Sequence, residues 1–180
     1  MKGIESKVSN AHTAGGNPCR EAKIKYETEA GTMNRENKIY AAYGSNMNLE
    51  QMAWRCPYAT VVGRAKLIGH QLLFRGPQGM AVATVEPKEG SEVPVLLWEI
   101  TPRCEDELDR YEGWPTFYRK ETVLVDYNGQ LAEVMAYIMN DGRPLGQPSG
   151  RYLNSILDGY ESAGFETDVL DKALAASLKS

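Results

Sequence analysis

The chain has 180 residues, 42% of them apolar and 24% charged, which suits one folded domain with a real core and not a disordered polymer. A net charge of −4 argues against a nucleic-acid binder, and no apolar run approaches the roughly 20 residues that cross a bilayer. Three cysteines without a CxxC pair read as reduced thiols in a cytoplasmic protein, and two distant histidines, His12 and His70, give zinc chemistry little to stand on.

Residues 1–37 carry few bulky apolar side chains, and Gly15-Gly16-Asn17-Pro18 breaks any regular pattern. They read as a flexible extension with one short helix near residues 20–29, and Met33 is an alternative start. Glu5, Glu21, Glu27 and Glu29, with no apolar stretch, argue against a signal or transit peptide. A single domain is expected over residues 38–180.

The pattern tightens from Lys38. Residues 39–43 read as a short strand. After Gly44-Ser45-Asn46, helical spacing of Leu49, Met52 and Ala53 follows, with Asn46 or Asn48 as N-cap and Pro57 as the stop. Strands are expected over residues 60–75, 81–86 and 94–100, separated by turns bearing Gly and Pro. Thr101-Pro102 starts a helix whose first turn is acidic, with Cys104, Leu108 and Tyr111 facing inward and Gly113 ending it.

Two more strands, residues 117–127 and 130–139, flank Asn128-Gly129, a strong hairpin signal because both positions tolerate positive φ. Ser149 caps a helix with an apolar stripe at Tyr152, Leu153, Ile156, Leu157 and Tyr160, ended by Gly164. Thr167 caps a last helix. Strands joined by hairpins do not build a parallel doubly wound sheet, so the fold class is α+β, with a small, mixed, mostly antiparallel β-barrel flanked by helices.

Cys56 precedes a proline and Cys104 lies on an inward stripe, so both read as core thiols, and His70 reads as a structural histidine. The acids between Glu105 and Asp109 read as a solvated helix face. Glu112 differs. It ends a helix, where the dipole raises a carboxyl pKa, and Tyr111 and Trp114 can exclude water and raise it further. A surface glutamate before a turn is the plain alternative. The loop after residue 43 is either an ordinary strand-to-helix connection or a cradle of free N–H groups for a carboxylate or oxyanion.

The strings YAAYGSNM at 40–47, LDRYEG at 108–113, FYRKETV at 117–123 and PSGRYL at 148–153 resemble the γ-glutamylcyclotransferase-like, or AIG2-like, superfamily. The resemblance leaves out the N-terminal segment. It implies cyclisation of a γ-glutamyl amino acid or γ-glutamylamine, releasing 5-oxoproline, without metal or cofactor. It implies Glu112 as catalytic acid/base, and Tyr40, Ala41, Ala42, Tyr43, Gly44, Ser45 and Asn46 around the glutamyl moiety. It also implies Tyr118 and Tyr152 closing the pocket. Substrate side-chain selectivity would lie in residues 76–79 and 113–117. The partner is a small γ-glutamyl compound, and exposed aromatics on the C-terminal helices allow a homodimer without demanding one. A carboxylate-binding module without turnover, and a γ-glutamyl-removing hydrolase or transferase, are the alternatives.

Overall fold

The structure, a computed structural model, describes residues 35–178. Residues 1–34 of the extension expected over 1–37, with its short helix, His12 and Cys19, lie outside the described residues. Five strands, β1 (Lys38–Ala42), β2 (Thr60–Arg75), β3 (Val82–Ile100), β4 (Tyr118–Tyr127) and β5 (Gln130–Met139), close a barrel in the order β1-β3-β2-β4-β5. Every neighbouring pair is antiparallel except β1 and β5, which run parallel and meet at Tyr40 and Met135. Four helices flank it: α1 (Leu49–Arg55), α2 (Pro102–Glu112), α3 (Gly150–Ala163) and α4 (Asp168–Ser177).

Alternating positions of the strands fill the core with Leu67, Val85, Val95, Val125 and Ala136, all buried. The two strands expected over residues 81–86 and 94–100 are one. The run Glu-Pro-Lys-Glu-Gly-Ser reads as a turn, yet the ladder continues across it. The register jumps from His70 opposite Pro87 to Ile68 opposite Glu92, a bulge that Gly90 relieves with φ 71°. Gly and Pro therefore bent the strand without ending it.

The caps follow the local chemistry. Asn48, and not Asn46, caps α1 by accepting from the Gln51 N–H, which frees Asn46 for other work. Thr101 caps α2 and Ser149 caps α3 in the same way, and Gly113 and Gly164 end those helices in the left-handed region. Thr167 makes no side-chain cap bond; its hydroxyl bonds Asp171 instead. The aromatics of the C-terminal helices are turned inward, Tyr160 into the core, so they offer no exposed aromatic face.

Glu105 is not on a solvated face. It is buried and accepts from Lys38 at 2.8 Å and Lys120 at 2.6 Å, and Arg35 reaches it at 3.0 Å. Burial alone would raise its carboxyl, but the bonds from Lys120 and Lys38 outweigh that and hold it down to about 2. Lys120 also binds Asp109 at 2.7 Å, so the network ties α2 to β4. A depressed folded pKa gives stability that is present above the unfolded value of about 4.3 and is lost as pH falls toward 2. Lys38 is half exposed, so solvent screening discounts its share of that stabilisation, and Arg35, equally exposed, adds little. Glu105→Gln should therefore cost about 2 kcal/mol at pH 7 and only a small fraction of that at pH 2, read as the urea midpoint at both pH values.

Helix α3 packs on the 3-10 turn Ser45–Met47, and Gly159 makes that approach possible. A Cβ there would stand 2.8 Å from Met47 Cβ and 3.0 Å from the Asn48 nitrogen. Overpacking of this kind costs about 1–3 kcal/mol, and alanine's better helix propensity returns about 1. Gly159→Ala should lower stability by up to about 2 kcal/mol in urea titration, since the turn at Met47 and Asn48 must give way.

Candidate active site

A cavity of about 410 Å³ opens at one end of the barrel. Strand β1 delivers Tyr40, the segment after it delivers Tyr43, Gly44, Ser45 and Asn46, and α2 ends there with Glu112 and Gly113. Tyr118 enters from β4, Tyr137 from β5 and Tyr152 from the first turn of α3. Of the residues singled out in the sequence, eight meet around one hollow, and two do not. Ala41 and Ala42 are wholly buried and line no part of it; strand alternation sends Ala41 to the face opposite Tyr40, and Ala42, on the same face as Tyr40, does not reach the cavity. Gly113 and Phe117 line it, whereas residues 76–79 do not.

The main-chain N–H groups that begin the 3-10 turn have no acceptor within it, and Ser45 and Asn46 carry them at the cavity wall. The turn itself is pinned. Trp98 Nε1 donates to the Asn46 carbonyl at 3.1 Å. The Asn46 side chain is buried and donates to Tyr40 Oη at 2.9 Å and Glu112 Oε1 at 2.8 Å. Its Oδ1 accepts from Arg55 Nη1 at 2.6 Å. A guanidinium has no acceptor, so Arg55 fixes which way the amide faces, and the NH₂ group must point at Glu112.

Burial in the cavity pushes the Glu112 carboxyl up to about 7, against the pull of the Asn46 bond and the Arg55 charge. The water-excluding surface is the ring of buried pocket tyrosines; Tyr111 lines the cavity but is about half exposed, and Trp114, equally exposed, does not line it. Tyr111 is not an inward residue. It leaves the core at the end of α2, its ring lies 3.8 Å beneath the Arg55 guanidinium, and its hydroxyl accepts from Arg55 at 2.7 Å. Trp114 instead sits under Lys120 at 4.7 Å.

The other tyrosines are ordered by the barrel. Tyr118 Oη donates to the Ala83 carbonyl at 2.6 Å, and the Ala83 N–H donates to Tyr152 Oη at 3.1 Å. Tyr152 thus accepts from the wall and keeps its own proton free for the cavity. Gly44 lets it come close, since a Cβ at that position would stand 3.3 Å from Tyr152 Oη. Tyr43 donates to the Tyr137 carbonyl, and Tyr137 Oη donates to Asp109 at 2.6 Å. Burial raises the pKa of Tyr40, Tyr43, Tyr118, Tyr137 and Tyr152, so they stay neutral phenols at pH 7. The proton that moves near neutrality belongs to Glu112.

Other nucleophile candidates lie elsewhere. Cys56 is buried and its thiol is pushed up to about 12, by burial first and by Cys104 next. His70 bonds the Ile68 carbonyl at 2.8 Å. Among the described residues, no three His, Cys, Asp or Glu side chains cluster to hold a metal ion. Arg55 and Tyr137 went unread in the sequence. A basic residue in the last turn of a helix looks like a complement to the dipole, and Tyr137 looks like one more apolar position of a strand.

Residues 40–154 match the family model described as "Gamma-glutamyl cyclotransferase, AIG2-like". The chain is 27% identical to a gamma-glutamylcyclotransferase of Bos taurus over 146 residues, covering 76% of this chain and 77% of that protein. It is 26% identical to a gamma-glutamylcyclotransferase of Homo sapiens over 151 residues, covering 79% and 80%. A solved structure of a gamma-glutamyl cyclotransferase superposes with a TM-score of 0.69 at 26% identity, covering 77% of this chain and 86% of the other. With that match running from the strand that opens the cavity to the helix that closes it, the chain belongs to the AIG2-like gamma-glutamyl cyclotransferase family.

Proposed function

We propose that this chain cyclises a γ-glutamyl amino acid or γ-glutamylamine, releasing 5-oxoproline and the free amino acid or amine. The observation that carries the reading is the Glu112 carboxyl, raised to about 7 in the same cavity as Ser45 and Asn46, whose main-chain N–H groups begin the 3-10 turn. The substrate's α-ammonium must lose a proton before its nitrogen can attack its own γ-carbonyl carbon. Glu112 in its ionised form takes that proton. Nucleophile and electrophile are in one molecule, so a folded pose closes the five-membered ring with little further loss of freedom.

The attack places negative charge on the former carbonyl oxygen. The N–H groups at Ser45 and Asn46 and the free proton of Tyr152 supply donors for it. The C–N bond to the leaving nitrogen then breaks as Glu112 returns its proton there. The attacking nitrogen gives up two protons to become the lactam N–H, and the leaving nitrogen gains two to depart as ammonium. One carboxylate can carry both in turn. No metal, cofactor or covalent intermediate enters these steps. The sparse thiols, Cys56 and Cys104 both free, suit a cytoplasmic setting.

The test is incubation of the purified chain with γ-glutamyl dipeptides and γ-glutamylamines, followed by mass spectrometry. Release of 5-oxoproline supports the reading. Free glutamate or a transferred glutamyl group in its place points to a hydrolase or transferase. Thermal stabilisation by these compounds without any product points to a binding module.

A further inference from the structure

The last turn of α2, which carries Glu112, is a helix end beside solvent, and the exposed Trp114, Pro115 and Thr116 follow it. Helix ends fray unless something holds them. Gly113, in the left-handed region, closes the backbone, and the Trp114 N–H donates to the Asp109 carbonyl at 2.9 Å. Side chains hold the turn from the barrel. Of the described side-chain hydrogen bonds and ion pairs, the two that tie this turn to a strand both end on the Asp109 carboxylate. Tyr137 Oη of β5 donates to it at 2.6 Å, and Lys120 of β4 pairs with it at 2.7 Å.

Tyr137 leads back to the site. It lines the cavity, and its ring stands edge-on to Tyr40 with centroids 5.7 Å apart. Tyr40 Oη accepts from the same Asn46 amide that donates to Glu112 Oε1. Contacts therefore run in a closed circuit from Glu112 through Asn46, Tyr40, Tyr137 and Asp109 to the helix turn that bears Glu112. Asp109 itself does not line the cavity. We infer that Asp109 is a positioning residue for Glu112 and that it acts through the Tyr137 hydroxyl. The inference rests on the cyclotransferase reading for what Glu112 does once it is in place. A phenol bonded to a carboxylate is short and charge-assisted, so it fixes distance better than a neutral pair does. With it the helix end keeps Glu112 against Asn46; without it the turn moves outward and the carboxyl meets water.

Tyr137→Phe removes one hydroxyl and keeps both the ring on Tyr40 and the ion pair of Asp109 with Lys120. With the compound of the γ-glutamyl panel that yields most 5-oxoproline, kcat should fall about tenfold while KM stays within about twofold. Asp109→Asn should lose a similar factor, because Lys120 reaches both carboxylate oxygens, at 2.7 and 2.8 Å, and an amide cannot accept with both ends. In the Tyr137→Phe background Asp109→Asn should cost nothing further. Glu105→Gln loosens the network on the other side of Lys120, and it should leave kcat within about twofold.

A second readout needs no turnover. Carbon-13 NMR follows the Glu112 carboxyl, identified by its loss in Glu112→Gln. It should titrate at about 7 in the unmutated protein and closer to the ordinary value of about 4.3 in Tyr137→Phe, where water reaches it. The groups facing Glu112 are Arg55 of α1, Tyr40 of β1, Asn46 and Tyr43 after it, Tyr118 of β4 and Tyr152 of α3, and the variant alters none of them. An unchanged kcat in Tyr137→Phe, additive losses in the double variant, an equal loss in Glu105→Gln, or a Glu112 titration unmoved by Tyr137→Phe each overturns the proposal. Failure of the cyclotransferase reading looks different. No compound of the panel would then give 5-oxoproline, while the Glu112 titration still moves with the Tyr137 hydroxyl.

Discussion

Glu112→Gln should abolish most turnover and at the same time stabilise the fold. The amide keeps the shape of the side chain and can still accept from Asn46 Nδ2, which now bonds Glu112 Oε1 at 2.8 Å. It cannot take a proton from the substrate's ammonium. Positioned acid/base groups contribute about 10²–10⁴-fold, and here one group serves both directions, so the loss in kcat/KM should sit at the upper end. In the unmutated protein kcat/KM should rise with pH through about 7, where the carboxyl ionises.

The stability half of that prediction follows from linkage. Glu112 titrates near 7 in the folded protein, against about 4.3 when unfolded. Between those values the folded state holds a proton that the unfolded state has released, so stability falls as pH rises through the window. A glutamine never ionises and escapes the cost. The variant should gain about 2 kcal/mol at pH 8, less than the full shift implies because the cavity opens to water. The gain should fade to nothing near pH 4. Thermal melts of both proteins across pH 4–8 read this directly. A variant that is active, or one that gains nothing at pH 8, would show that Glu112 does not hold a strained charge.

The same cost explains why the site is legible in the sequence only in part. Helix ends, caps and the hairpin at Asn128-Gly129 are local, and they stand where Thr101, Ser149, Gly113 and Gly164 put them. On its own residues Glu112 stands only as one of two readings, a shifted carboxyl or a surface glutamate before a turn, and the motif resemblance is what singles it out. The medium that shifts it was not legible, because Tyr118, Tyr137 and Tyr152 come from three elements far apart in sequence. The resemblance at 40–47 carried Ala41 and Ala42 along with the motif, and nothing local to it showed that both are buried without lining the cavity. Among the acids of α2, Asp106 and Glu107 are exposed as read, and Glu105 misled for the same reason. Glu105 pairs with Lys120 on another strand, and no local rule joins positions that only barrel closure brings together.

Arg55 carries the second large effect, and it acts through another residue. Arg55→Met should lower kcat/KM by about 10–100-fold and move the rise in the pH profile above 7. Two causes can be separated. The guanidinium holds Asn46 Oδ1 at 2.6 Å, so that the amide donors face Glu112; without it the amide can turn and set its oxygen against the carboxylate. The charge of Arg55 also lowers the Glu112 pKa, and its loss lets burial raise that carboxyl further. Fewer molecules then carry the ionised base at neutral pH, so part of the deficit should recover at pH 9. Arg55→Lys keeps a positive charge but cannot span Asn46, Gln51 and Tyr111 with one planar fork. It should hold the pH profile near that of the unmutated protein while losing rate at every pH. If both variants lose rate equally and neither shifts the profile, Arg55 only packs against Tyr111, and the orientation of Asn46 is set by Tyr40 and the Trp98 clamp alone.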